Sequence, residues 1–407
     1  MITFDKEFLT SEEAVKALRS LAGEKISSAT ELALQKKLRR TFNGEQTALL
    51  MEQALLRQKA LAKYPAEMAA NMYFERQALE QATAWELALH RAAFLDSLAG
   101  PGEFLDLGCG IGGDALAMAH FRPVTAIDLQ PDRLAALEAG AANLNLPFPI
   151  RTIQGDYTNM SLPEAAGAFA DPARRNDAGK GTKRVFAPED LLPPLPLVIG
   201  ILQKMDIPAA VKLSPSFDKS WLSRYGNISL EFTGPCRQCR ESVLWLKAAD
   251  EPFIKGSLLQ NDGSWLELTQ PLHKDTTVNT GELKQGQYLY ETEPVMLRAG
   301  QLPTAAAELG AHLFDAEVSW LISDKYTPYP WADAFHIEEI AHFSLKELQK
   351  RLRDLGIGIV EIKKRGCAVD PDELRLKLKL DKKSKKALTV LLSRRGGQPI
   401  FMLASRV

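Results

Sequence analysis

The chain has 407 residues, 50 Lys+Arg against 51 Asp+Glu, and 45% hydrophobic side chains. Those proportions exclude a collagen, a disordered polyelectrolyte and a small disulfide scaffold, and the length allows two or three domains. The opening MITFDKEFLTSEEAVKALRS has no apolar segment behind basic residues, so no secretory signal is expected.

No run of eighteen apolar residues offers a membrane span. The sparse cysteines, Cys109, Cys236, Cys239 and Cys367, fit a reducing compartment, and a cytoplasmic location is expected. The near-neutral balance hides an asymmetry. Residues 346–407 hold 17 Lys+Arg against 7 Asp+Glu, which suits a polyanion partner or a solvated surface.

In chain order, residues 1–95 read as a helical region, rich in Ala, Leu, Glu, Gln, Lys and Arg and poor in Gly, with a break at Tyr64-Pro65. From Pro101 short apolar runs alternate with helical ones. Strands are predicted at 103–107, 124–128, 150–153, 166–170 and 209–213, with helices at 114–121 and 131–144. That alternation predicts right-handed βαβ crossovers and a mostly parallel sheet. Segments 228–232 and 242–246 supply a final pair of strands. Asn261-Asp262-Gly263 marks a hairpin turn. A mixed segment, 288–324, contains a helix-like stretch from Leu302 to Gly310. Further on, strands at 335–339, 357–363, 387–393 and 400–404 alternate with helices at 345–355 and 371–378, which is the pattern of a small α+β module.

The chemistry is concentrated at the predicted strand ends. Asp106-Leu-Gly-Cys-Gly-Ile-Gly-Gly-Asp114 joins the first strand to a helix. Gly108 allows a tight turn, Gly110 lets backbone approach a ligand, and Gly112 leads into free helix N–H groups that suit an anion. Asp128 ends the second strand, 18 residues after Gly110, where a carboxylate accepts two ribose hydroxyls. Leu129 follows it. Asp156, with Tyr157 beside it, follows the third strand and is placed to accept an adenine amino group. Asp171-Pro172 ends the fourth. Ligands of open α/β sheets bind at this carboxyl edge. The turn and Asp128 alone also fit a dinucleotide enzyme.

Four acidic strand ends in succession, on the turn Asp106-Leu-Gly-Cys-Gly110, resemble the class I S-adenosylmethionine-dependent methyltransferases over roughly residues 100–250. The resemblance implies an α/β fold with a Rossmann-like core, S-adenosylmethionine as cofactor, and Asp106, Gly108, Gly110, Gly112, Asp128, Leu129, Asp156 and Tyr157 around it. Cys109 reads as packing. Ala170-Asp171-Pro172-Ala173-Arg174-Arg175 resembles the Asn/Asp-Pro-Pro-aromatic motif of enzymes that methylate exocyclic amino groups. On that resemblance Asp171 and Pro172 are the catalytic candidates. Ala173 and Arg174 depart from the motif, so Arg174, Arg175 and, after the fifth strand, Lys212 are candidates for substrate binding.

Cys236-Arg-Gln-Cys239 has zinc spacing but no second ligand pair nearby, and no metal is expected. Tyr73, Phe74 and Gln81-Ala-Thr83 either cover the cofactor or form core. Beyond the core, Tyr288-Leu-Tyr-Glu-Thr-Glu-Pro294 and Leu321-Ile-Ser-Asp324 resemble a ferredoxin-like segment. Ile362-Lys-Lys-Arg-Gly366, Val369-Asp-Pro-Asp-Glu-Leu374 and Arg394-Arg-Gly-Gly397 resemble the THUMP-like terminus of bacterial methyltransferases. The expected domains are 1–95 (helical), 96–287 (methyltransferase), 288–330 (ferredoxin-like) and 331–407 (THUMP-like). The resemblance implies RNA as partner and an exocyclic amino group of a purine as acceptor. A protein or small-molecule methyltransferase and a non-catalytic binding module are the alternatives.

Overall fold

A computed structural model describes residues 4–174, 187–272, 277–381 and 383–407. The chain divides into two compact units: one of residues 1–231 and 241–253, the other of 232–240 and 254–407.

The first unit opens with seven helices: α1 (Lys6–Leu9), α2 (Glu12–Ala22), α3 (Glu31–Leu38), α4 (Gly44–Ala60), α5 (Ala66–Asn71), α6 (Arg76–Gln81) and α7 (Trp85–Leu98). Polar caps set several starts. Ser11 accepts from the Ala14 amide, and Asn43 forms a reciprocal capping box with Gln46. Tyr73 is core: its hydroxyl donates to the Leu9 carbonyl, and its ring packs among Leu9, Leu50 and Ala136. Phe74 is equally buried. Both belong to the core of the first unit.

Strands β1 (Phe104–Leu107), β2 (Val124–Asp128), β3 (Ile150–Gln154), β4 (Gly167–Ala170), β5 (Ala209–Leu213), β6 (Ile228–Pro235) and β7 (Glu241–Leu246) follow, with helices α8 (Gly113–Met118), α9 (Pro131–Ala142) and α10 (Leu195–Met205) between them. Their order across the sheet is β6-β7-β5-β4-β1-β2-β3. β1 is parallel to β2 and β4, β2 to β3, and β4 to β5, whereas β7 runs antiparallel to β5. β1, β2 and β4 are buried along their whole length, as expected of strands covered on both faces. The parallel strands therefore bring their carboxyl ends to one edge, with β1 and β4 adjacent at the point where the order reverses. Helix α10 begins in Pro193-Pro194-Leu195-Pro196, and that proline run conceals it in the sequence.

The second unit holds a hairpin, β8 (Phe253–Leu259) and β9 (Trp265–Pro271), turned at Asn261-Asp262-Gly263 with Gly263 at φ +85°. Its other strands are β10 (Tyr288–Thr292), β11 (His312–Asp315), β12 (Val318–Ser323), β13 (Ala332–His342), β14 (Ile359–Lys364), β15 (Ala387–Arg395) and β16 (Gln398–Arg406). They form one seven-stranded sheet, ordered β11-β12-β10-β13-β16-β15-β14. Helices α11 (Pro294–Arg298), α12 (Leu302–Leu309), α13 (Leu345–Asp354) and α14 (Pro371–Lys377) complete the unit.

This sheet runs across the expected boundary at residue 330. β10 pairs with both β12 and β13, so 288–330 and 331–407 share a hydrogen-bonded sheet and a core that runs from Leu289 and Phe314 to Leu391 and Met402. Residues 254–287, expected in the methyltransferase region, also belong to this unit. Within the first unit, Leu56, Tyr64, Trp85 and Leu95 of the helical region share one core with Phe104, Leu116 and Phe169. Among the described residues, no helix is long and apolar enough to cross a membrane.

Candidate active site

The turn from β1 into α8 takes the backbone through left-handed conformations at Gly108 (φ +81°), Gly110 (φ +56°) and Gly112 (φ +82°). The glycines serve different ends. A Cβ on Gly110 meets nothing within 4 Å, so this position faces open space. A Cβ on Gly112 would collide with the Leu137 side chain of α9. Gly112 thus serves the packing of α9 on the protein side of the turn.

Asp128 braces the turn. One carboxylate oxygen accepts from the Gly110 amide at 2.8 Å and the other from the Gln130 amide at 2.8 Å. Each oxygen keeps a further acceptor site for a ribose hydroxyl. Leu129 beside it is exposed. Asp156 is committed to its own loop. It accepts from the Thr158 amide and hydroxyl and from the Asn159 side chain, and these bonds hold its carboxyl below the ordinary range. Oδ1 is thereby filled, and Oδ2, with the one bond from Asn159, keeps an acceptor site of the kind an adenine amino group needs.

Asp106 has the opposite condition. It is 1% exposed, and neither carboxylate oxygen has a hydrogen-bond partner among the described residues. Burial, followed by the charges of Asp114, Asp171 and Asp128, pushes its carboxyl well above the usual range. The Tyr157 hydroxyl, whose ring lies beside Gly108, is also buried without a partner. So is that of Tyr64, which lies against Gly113 at the start of α8. The sequence marked Tyr64 only as a helix break. Cys109 is buried, and burial raises its thiol pKa well above the ordinary value, which suits packing and not nucleophilic attack.

Across the edge from Asp106 lies a buried ion network. Arg91, on α7, is ion-paired to Asp114 of α8 and Glu241 at the start of β7, and its guanidinium lies 4.6 Å from the Phe169 ring centroid. Lys212, on β5, is ion-paired to Asp171 and donates to the Thr83 hydroxyl at 3.0 Å. Side-chain exposure rises from 4% at Arg91 through 13% at Lys212 to 33% at Asp171, so Asp171 is the most open of the three. Burial opposes the charge on Arg91 and on Lys212, but the surrounding carboxylates outweigh it and hold both cations. Burial likewise raises the proton affinity of Asp171 and Glu241 despite these partners.

The structure places Asp106, Asp128, Asp171 and Lys212 near one another, together with Arg91, Asp114, Glu241 and Thr83. Arg91 left a faint signal, a His90-Arg91 pair within the apolar run from Leu87 to Phe94. Pro172 is buried beside Asp171. The Arg174 side chain and all of Arg175 lie outside the described residues.

The edge suits S-adenosylmethionine. Five acidic side chains, Asp106, Asp114, Asp128, Asp171 and Glu241, face two cations, Arg91 and Lys212. When bound, the cofactor supplies a methyl group on a cationic sulfonium, together with an ammonium. A surplus of carboxylates, one of them buried without a partner, is the environment that such charges complement.

Comparison with known proteins agrees. A methyltransferase domain family matches residues 104–170, a THUMP domain-like family matches 332–406, and a domain family of unknown function matches 5–60. Proteins from two strains of Mycobacterium tuberculosis (CDC 1551 and H37Rv), each named an uncharacterized S-adenosylmethionine-dependent methyltransferase, are 28% identical over 362 residues, 87% of this chain and 94% of theirs. The crystal structure of a "putative methyltransferase" from Porphyromonas gingivalis W83 has the same fold, with a TM-score of 0.78 at 19% identity over the whole of both chains. This chain is an S-adenosylmethionine-dependent methyltransferase with a Rossmann-like core and a THUMP-like C-terminal domain.

Proposed function

We propose that this methyltransferase acts on RNA, and that an exocyclic amino group of a purine is an acceptor at the Asp171 edge. The observation that carries the reading is the position of Asp171: at the end of β4, beside the turn, and more exposed than the ions behind it. Lys212 holds one carboxylate oxygen, Oδ2. The other oxygen and the backbone carbonyl of Pro172 accept the two amino hydrogens, which turns the nitrogen lone pair toward the methyl group. Such positioning lowers the barrier without a strong base. On the cofactor side, Asp106 receives the ammonium, Asp128 the ribose, and the open face of Gly110 the close approach of the ligand. Leu129 and Tyr157 border the adenine, and Asp156 shapes the loop on that side. Arg174, Arg175 and Lys212 meet the nucleotide.

The THUMP-like match and the basic C-terminal sequence support RNA as the partner. Arg351, Arg375, Lys377 and Arg394 are paired with acids, whereas Lys379, Lys383 and Lys385 are exposed without a carboxylate partner among the described residues. Phosphate contacts by such lysines give affinity and register with little sequence information.

Asp171→Ala is expected to reduce methyl transfer to bulk RNA by at least ~1000-fold, equivalent to about 4 kcal/mol of barrier, while leaving cofactor affinity within a few-fold. Nucleoside mass spectrometry and calorimetric titration measure the two. Unchanged turnover in this variant would remove Asp171 from the mechanism, and methyl transfer to protein but not to RNA would sink the RNA reading.

A further inference from the structure

We propose a further activity at the same edge: methyl transfer to a hydroxyl oxygen, the ribose 2′-hydroxyl of an RNA nucleotide, with Lys212 facing that oxygen and Asp171 receiving its proton. The identity of the hydroxyl's carrier rests on the RNA reading above.

The geometry starts from Lys212. An ammonium has three N–H donors. One is donated to Thr83 Oγ1 at 3.0 Å and one to Asp171, and the third has no partner among the described residues. The side chain is 13% exposed, at the end of β5, next to the more open carboxylate at the end of β4. A nearly buried ammonium with a donor to spare, beside the carboxylate where the acceptor enters, is a ready partner for an oxygen.

The two acceptor classes use that ammonium differently. A nitrogen that attacks a sulfonium methyl gains positive charge until it sheds a proton, and there Lys212 serves only by holding Asp171, whose carboxylate offsets the charge. A hydroxyl oxygen gains negative charge as its proton leaves, and Lys212 stabilises it. A preorganised cation is most effective where charge develops out of water. Arg91 pairs with Glu241 and Asp114, whose charges also act on Lys212, and the carboxylate in direct contact with Lys212 is that of Asp171. Burial raises the proton affinity of Asp171, which suits a base that takes a proton and later returns it to water.

The step balances as follows. The hydroxyl O–H bond breaks and its proton passes to Asp171. An O–CH3 bond forms as the S–CH3 bond breaks. The departing electron pair stays on sulfur, giving neutral S-adenosylhomocysteine. Lys212 remains an ammonium throughout.

The test uses the full chain, methyl-labelled S-adenosylmethionine and bulk RNA from cells that lack the protein. Alkali cleaves RNA after unmodified riboses only, so a 2′-O-methyl label survives in dinucleotides, whereas base methylation appears in mononucleotides. Label in alkali-stable dinucleotides is expected, with Lys212→Met lowering its kcat by roughly 100-fold and leaving cofactor affinity within about threefold. Lys212→Arg keeps the charge and guards against misfolding, and it is expected to retain more dinucleotide labelling than Lys212→Met. Label confined to mononucleotides overturns the hydroxyl proposal and leaves RNA methylation standing. No label in any RNA overturns both.

A second readout needs no cofactor. In the carbon-13 spectrum of the free chain, the Asp171 carboxyl is expected to titrate higher in Lys212→Met than in Lys212→Arg, because the cation beside it is lost. Equal values would show that the ammonium does not face this carboxylate, and would overturn the proposal.

Discussion

Arg91 and Lys212 in the first unit have side chains 4% and 13% exposed, each fastened to carboxylates, whereas Lys379, Lys383 and Lys385 in the second unit stand in water with no carboxylate partner among the described residues. The residue chemistry is similar and the energetics are opposite. A buried cation has lost its hydration and depends on its partners, so removing either member leaves an uncompensated charge. An exposed lysine keeps its hydration and is screened over about 10 Å at ordinary salt. Buried pairs of this kind fix geometry, and exposed cations remain available to a polyanion.

The sharpest way to break the comparison is to make the same substitution in both settings. Arg91→Met strands Asp114 and Glu241 together and is expected to cost about 3–5 kcal/mol. Arg375→Met removes an exposed pair with Asp372 one helical turn away and is expected to change stability by less than ~0.5 kcal/mol. Urea denaturation of the two variants checks this. Equal midpoints would mean that the network is already solvated, and its role in holding α7, α8 and β7 would lapse.

Much of the catalytic edge was legible because it is written locally. A Gly-x-Gly turn, short apolar runs and an acid at the end of each run are features of a few adjacent residues, and the predicted strands of the first unit fall within a few residues of their observed bounds. Non-local pairings were not legible. Arg91 meets Glu241 from 150 positions away, and Lys212 meets Thr83 from 129. Nothing in either segment specifies the other. Tyr73 illustrates the converse: an aromatic near the start of the core reads equally as cover or as packing, and only its bond to Leu9 settles it as packing. In the second unit, β11 and β12 were blurred into a mixed segment, because the pairing of β12 with β10 is set by residues far along the chain.

Asp106 sharpens the comparison from the anionic side, because it is buried without any partner among the described residues. Its carboxyl lies above the ordinary range in the folded chain. The unfolded chain therefore releases this proton near pH 4 while the folded chain keeps it, so stability from this group falls as pH rises from about 4 toward the elevated folded value. Asp106→Asn removes that loss. The variant is expected to gain about 1 kcal/mol at neutral pH, to show a flatter decline of stability over this window, and to bind S-adenosylmethionine more weakly. Thermal melts across pH and a cofactor titration check both halves. A less stable variant with unchanged affinity would mean that Asp106 is satisfied in solution and does not receive the cofactor.

The smallest expected change in stability is at the exposed lysines, and there the effect must appear in binding. Replacing Lys379, Lys383 and Lys385 with Gln is expected to alter folding stability by less than ~0.5 kcal/mol, because no carboxylate among the described residues loses a partner. If these side chains touch RNA phosphates, each releases bound counterions. The slope of log affinity against log salt should then become shallower by roughly 0.7 for each single-strand phosphate that a replaced lysine had neutralised. The measurement is a salt titration of binding to bulk RNA by the native and triple-variant chains. A slope that stays fixed would assign these lysines to the solvated surface. A slope that falls while melting holds would separate the two uses of positive charge in one chain: Arg91 and Lys212 fix an internal geometry, and the exposed lysines hold a partner.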